Sequence, residues 1–201
     1  MKAPYLRPFL LIAVIIVVDQ VIKTWVRTHM ALGEQIHFFG SRGMLNYTEN
    51  NGMAFGMEFG GELGKLALTL FRIGAVVGIG WGLVFLIKHK YHRGLIMNVA
   101  LIFAGALGNI IDSTFYGILY HYASLFHGRV VDMFYFPLLS GNFPSWVPVW
   151  GGEDFIFFRP VFNLADASIS VGVILILIYQ KHYFKHQAPE VSAPNSEVVE
   201  E

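Results

Sequence analysis

The chain has 201 residues, of which 55% are hydrophobic and 14% charged, with a formal net charge of zero. Soluble domains usually carry about 25% charged residues, so this composition excludes an ordinary soluble globule and points to a single membrane-embedded unit. Zero net charge without a basic stripe argues against nucleic acid, and the absence of cysteine excludes a thiol nucleophile, a cysteine-held metal and any disulfide.

Crossing a bilayer core takes roughly 20 mostly apolar residues. Four stretches suit that length, at about 8–26, 66–87, 95–115 and 161–179, and predict four transmembrane helices. The first also has the basic start and apolar run of a signal peptide. Asp19, Gln20 and Lys23 follow directly, however, and no small-residue cleavage site comes after them, so it is read as a retained helix. Lys2, Arg7, Lys88, Lys90, Arg93, Lys181 and Lys185 flank one side, against Arg42, Lys65, Arg129 and Arg159 on the other. The excess of Lys and Arg marks the cytoplasmic side, which predicts both termini inside and residues 28–65 and 116–160 outside.

In the first outer segment, short alternating pieces at Gln35–Phe39 and Met44–Tyr47 flank the Gly40-Ser41-Arg42-Gly43 turn and predict a small hairpin or β-rich patch. The second is rich in aromatics, Gly and Pro, and reads as a loop along the membrane surface. Residues 1–186 then form one domain, and the polar, acidic 187–201 reads as a disordered cytoplasmic tail.

Ionisable groups within spans cost roughly 2.5 to 3.5 kcal/mol each on insertion scales and need a reason. Asp19 and Lys23, four apart, share a helix face and are expected to neutralise each other. Arg72 reads as a snorkelling side chain. Small residues in Ala104-Gly105-Ala106-Leu107-Gly108 allow close helix packing. Asn109 and Asp112, on one face beyond them, read either as an interfacial cap or as support for a site. Asp132 lies in the apolar run Val130-Val131-Asp132-Met133-Phe134, and Asp166 shares a face with Asn163 at the start of the fourth helix.

The predicted topology brings both carboxylates to one membrane rim. They are then either a functional pair or, for Asp166, a first-turn acid suited to the helix dipole. Two carboxylates about 4 Å apart repel by roughly 4 kcal/mol at an effective dielectric near 20, worth about three pKa units, so such a pair holds one proton at neutral pH. One member can then take a proton from water while the other hydrogen-bonds a scissile carbonyl. His182 and His186 have helical spacing but belong to a charged helix end without an HExxH pattern, so no metal or other cofactor is expected. Ser168 and Ser170 lack a nucleophile elbow, and either contact the acids or merely pack.

Five motifs in order, Asp19-Gln20-Val21-Ile22-Lys23, Asn50-Asn51-Gly52-Met53-Ala54-Phe55, Gly105 to Asp112, Val130-Val131-Asp132 and Phe162-Asn163-Leu164-Ala165-Asp166, resemble the lipoprotein signal peptidases, or signal peptidase II. The resemblance implies a four-helix membrane aspartyl endopeptidase with an extracytoplasmic β-rich cradle. It would cut prolipoproteins before a diacylglyceryl-modified cysteine at the outer face of the bacterial inner membrane. Asp132 and Asp166 match the family's catalytic aspartates, and Asn50, Gly52, Asn109, Asp112 and Asn163 match residues that line or support its site. Globomycin-type cyclic peptides are implied as inhibitors. The apolar spans make membrane lipids partners, and a bundle that reads as complete in itself predicts a monomer as the working unit. Two departures stand out: Ser113 replaces the family's usual Arg after the Asp, and the Asp132–Asp166 separation is long enough to hold an inserted surface loop. A small transporter and a non-catalytic membrane scaffold are the competing readings; a transporter site belongs near the midplane, often among related repeats.

Overall fold

A computed structural model describes residues 3–40, 42–51, 61–137, 139–142, 144, 146, 152, 154–157 and 160–184. Four long helices carry the fold: α1 (Ala3–His29), α2 (Gly61–Lys88), α3 (Arg93–Ile111) and α5 (Leu164–Phe184). All four are long and apolar enough to cross a membrane. Their outward faces are apolar: Phe71 is 75% exposed, Trp81 73% and Val21 63%, a surface that belongs against lipid rather than water. The chain is a multi-pass membrane protein.

Helix direction alternates along the chain, so the 30–60 and 117–163 connections share one end of the bundle, and the 89–92 turn lies at the other. At the connected end a four-stranded antiparallel sheet runs in the order β1-β2-β3-β6, from Gln35–Phe39, Gly43–Asn50, Val130–Tyr135 and Val161–Phe162. The β1–β2 hairpin is the expected one, turning at Gly40 with a φ of +55°. The sheet extends further than sequence reading predicts. β3 is an apolar run without alternation, and its partner β2 lies some eighty residues earlier, a pairing that local pattern does not reveal. The long 136–160 connection holds a separate hairpin, β4 (Leu139–Asn142) with β5 (Asp154–Phe157).

Helix ends also differ from the hydropathy spans. α5 starts at Leu164 rather than near 161, because Val161 and Phe162 pair with Tyr135 and Phe134. α1 and α2 run past their apolar stretches, to His29 and back to Gly61. After Ile111 the helix widens into a π-helical stretch, Asp112–Tyr116, before the single turn α4 (Gly117–Leu119). Such widened turns often mark functional sites. The predicted tail, 187–201, lies outside the described residues.

α3 is the central helix and packs on α1, α2 and α5. Ile12, Leu83, Ile87, Ala100 and Ala104 form the core at the turn end, while Val26, Met30, Tyr47, Tyr116, Val131 and Met133 form a second core beneath the sheet. The expected close approach of helices at small residues occurs between α3 and α5. A Cβ on Gly105 would sit 2.2 Å from the Ala165 carbonyl oxygen, and one on Gly108 2.9 Å from Asp19 Oδ2. Gly105→Ala should therefore push α5 off α3, lowering stability by about 1 to 3 kcal/mol. Thermal unfolding in detergent checks this, with Gly82→Ala, where a Cβ meets no atom within 4 Å, as the neutral control.

Candidate active site

The site is organised around a charge buried inside the bundle. Lys23, on α1, has no exposed surface, and its ammonium reaches Asp19 Oδ2 at 2.9 Å, Asp112 Oδ2 at 2.8 Å and Asn109 Oδ1 at 2.9 Å. Three donors meet three acceptors, which is what a buried ammonium requires. The expected Asp19–Lys23 pair is present, and Asp112 makes it a triad. Asp112 and Asn109 thus bond a buried ammonium inside the bundle, where an interfacial cap would face the headgroups.

Each partner passes the constraint on to another element. Asp19 Oδ1 accepts from the Ala165 amide at 3.0 Å, placing a carboxylate at the N-terminus of α5, where the helix dipole favours it. Asp112 accepts from Gln20 Nε2 at 2.9 Å and from the Val131 amide at 3.4 Å, tying β3 to the π-helical stretch beside Asp132. Gln20 also accepts from the Tyr116 hydroxyl at 3.1 Å. Sequence reading did not single out Gln20 or Tyr116, although an amide inside an apolar span next to Asp19 was a usable signal.

The neutral amides then hold the two remaining carboxylates. Asn109 Nδ2 donates to Asp166 Oδ1 at 2.7 Å. Asn163 is the residue just before α5, and its Oδ1 accepts from the Asp166 amide at 2.9 Å, while its own amide donates to Asp166 Oδ2 at 3.3 Å. This reciprocal pattern is a capping box in its Asn/Asp form. The Asn163 Nδ2 donates at 2.7 Å to Asp132 Oδ1, and also reaches Asn109 Oδ1 at 3.0 Å and the Val131 carbonyl at 3.3 Å. One asparagine side chain thus joins Asp132 to the turn that carries Asp166. Asn50, at the end of β2, donates to Asp132 Oδ2. A register shift between Leu45 and Thr48 precedes it, with Thr48 opposite Asp132. Such bulges are common beside active sites.

The two acids are not equivalent. Asp132 is 3% exposed, whereas Asp166 is half-buried. Burial, and then the neighbouring negative charge of Asp166, push the Asp132 carboxyl up to about 7, against the opposing hydrogen bonds from Asn163 and Asn50. A buried carboxyl that keeps its proton near neutrality beside a second, more open carboxylate can run acid–base chemistry on a bound water.

Of the residues anticipated, Asp19, Lys23, Asn50, Asn109, Asp112, Asp132, Asn163 and Asp166 belong to this one network, and Gly52 lies outside the described residues. Ser168 donates to the Leu101 carbonyl at 2.9 Å and packs α5 on α3, and Ser170 is exposed. Arg72 departs from its snorkelling expectation: it is half-buried, and its charge interacts with Asp166 and Asp132. Among the described residues, no three His, Asp or Glu side chains converge as metal ligands would.

A family model described as signal peptidase II matches residues 11–181. The chain belongs to the signal peptidase II family. The matched stretch contains every residue of the network. The lipoprotein signal peptidase of Porphyromonas gingivalis is 48% identical over 184 residues, covering 84% of this chain and 80% of that protein. That of Amoebophilus asiaticus is 40% identical over 201 residues, covering 92% of this chain and 83% of that one. A solved bacterial membrane enzyme superposes with a TM-score of 0.62 at 26% identity, over 92% of this chain and 94% of that chain.

Removing the central cation tests the network directly. Lys23→Met leaves Asp19 and Asp112 buried without their counter-charge and should cost about 3 to 5 kcal/mol. Unfolding in detergent should show a loss of that size, larger than that of Lys88→Met at an exposed helix end.

Proposed function

We propose that this member of the signal peptidase II family removes signal peptides from prolipoproteins, cutting before a diacylglyceryl-modified cysteine, with Asp132 and Asp166 as the catalytic pair. The observation that carries the reading is the side chain of Asn163, which bonds Asp132 and caps the turn that holds Asp166. Two acids from different elements, one on a strand and one on a helix, are held to each other by a shared neutral amide. A purely structural acid at the start of α5 does not need Asp132.

In the reaction, the ionised carboxylate takes a proton from water as its oxygen attacks the scissile carbonyl carbon, and the protonated carboxyl donates to the carbonyl oxygen. The tetrahedral intermediate then collapses, breaking the C–N bond, with a proton passing to the leaving amine. In the resting site burial disfavours the anion of Asp132 and so favours a proton held within the pair. Both roles reverse in the second half of the cycle, so the apparent pKa values are those of the pair.

The fold suits a lipid-borne substrate. Outward helix faces are apolar, so an apolar signal helix and acyl chains can reach the site from within the bilayer, while Asn50, Asn109 and Asn163 offer polar contacts at the cleavage point. The excess of Lys and Arg at the other end supports a sheet end that faces outward with both termini in the cytoplasm, and membership of the family supports the bacterial inner membrane as its location. The working unit is a monomeric domain spanning 1–186, with globomycin-type cyclic peptides as competing ligands of the same groove.

Asp132→Asn and Asp166→Asn, each purified and shown to be folded, should lower cleavage of a diacylglyceryl-modified prolipoprotein by about 10² to 10⁴-fold. Full activity in either variant would refute the pair. The unmodified enzyme makes a second test. Because burial and the charge of Asp166 push the Asp132 carboxyl up to about 7, the protonated form that the site requires is present below that value and lost above it. The kcat/KM profile should therefore fall as pH rises through about 7, and a profile flat from pH 6 to 9 would contradict the assignment.

A further inference from the structure

The inward face of α2 can be read from burial: Thr69, Val76, Leu83 and Ile87 are its buried residues. Arg72 falls three residues after Thr69 and four before Val76, hence on that same face. Its neighbours on the outward side are open, with Leu70 50% exposed, Phe71 75% and Val77 67%. A lipid-facing snorkelling cation would share their side of the helix, and Arg72 does not. Thr69 Oγ1 donates to the Phe126 carbonyl at 3.0 Å, and the Phe126 amide donates to the Thr114 carbonyl at 3.1 Å. This part of α2 is therefore linked to the π-helical stretch that begins with Asp112.

The position after Asp112 is Ser113, fully buried, and its hydroxyl has no hydrogen-bond partner. The π-helical stretch thus contributes no positive charge at that position. Lys23, the other cation whose charge reaches Asp132, has all three donors engaged by Asp19, Asp112 and Asn109. Arg27 and Arg129 pair with Glu49. Lys65 donates to the Asn51 carbonyl at 2.7 Å. The charge of Arg72, from the inward face of α2, acts on Asp166 and then on Asp132.

We propose that Arg72 is a positioning residue for peptide cleavage: from α2 its guanidinium supplies the positive charge that keeps one member of the pair ionised and opposes the negative charge growing on the scissile carbonyl oxygen. This rests on the reading of Asp132 and Asp166 as the catalytic pair. Among the described residues, the charged groups that act on Asp132 are Asp166 from α5, Lys23 from α1 and Arg72 from α2, with Asp112 from the π-helical stretch acting through Lys23. A charge that acts on the pair changes turnover more than substrate affinity, and it changes the pH at which the pair titrates.

The test is the full pH–rate profile of Arg72→Gln and Arg72→Lys on a diacylglyceryl-modified prolipoprotein, with kcat and KM resolved. Removing a cation makes the nearby carboxyl hold its proton to higher pH. Arg72→Gln should therefore move the Asp132 limb upward by about half a pH unit or more and lower kcat at least about tenfold, with KM within about twofold. Arg72→Lys should restore the limb and most of kcat. Partial misfolding scales the whole profile without moving the limb, so a limb that stays in place in Arg72→Gln overturns the proposal. If Asp132→Asn and Asp166→Asn retain activity, the pair itself is wrong; if they are inactive and the limb does not move, only the role of Arg72 falls.

Discussion

A buried ammonium fixes the geometry of this protein. Lys23 lies inside the bundle with no exposed surface, where a lone charge would be prohibitively costly, and it is tolerable only because Asp19, Asp112 and Asn109 converge on it. That requirement sets where three segments must lie relative to one another: α1, the end of α3, and, through the contact of Asp19 with the Ala165 amide, the start of α5. Replacing the triad by apolar residues of similar volume is often neutral or stabilising in other proteins, so stability alone does not account for it. Here each acid has a second bond that aims a backbone amide: Asp19 holds α5 and Asp112 holds β3.

From this anchor the polar character changes from ionic to neutral as the candidate catalytic acids are approached. Asp132 and Asp166 accept hydrogen bonds from the side-chain amides of Asn50, Asn109 and Asn163. Neutral donors orient a carboxylate without supplying a full charge, so burial and the partner acid raise the proton affinity of Asp132 against only distant positive charge from Lys23 and Arg72. An ammonium in direct contact with Asp132 would have locked it as an anion. The network separates the two tasks, with ion pairs giving rigidity and amides giving orientation.

Much of this was legible in the chain. Four apolar stretches gave the spans, and the polar residues inside or beside them were informative because lipid makes each of them costly. Asp19 with Lys23 at i, i+4, and Asn163 with Asp166 at i, i+3, follow from helix geometry and both occur as contacts. Residues without such a local partner were harder to place. Gln20 and Tyr116 bond across 96 positions, and Arg72 looked like a lipid-facing cation because its helix face depends on which side α3 packs.

Sequence by itself determined that the protein is membrane-embedded, which helices span, and which few polar residues demand explanation, because hydropathy and helical period are local properties of the chain. Tertiary structure decided the rest. It set β3 beside β2, so that Asp132 meets Asn50 across 82 positions, and it started α5 at Leu164, so that Asn163 serves as its cap and as a donor to Asp132. It also turned an isolated-looking Asp112 into a partner of Lys23. These are pairings between distant segments, selected by the need to satisfy buried polar groups together, and no single segment carries enough information to predict them.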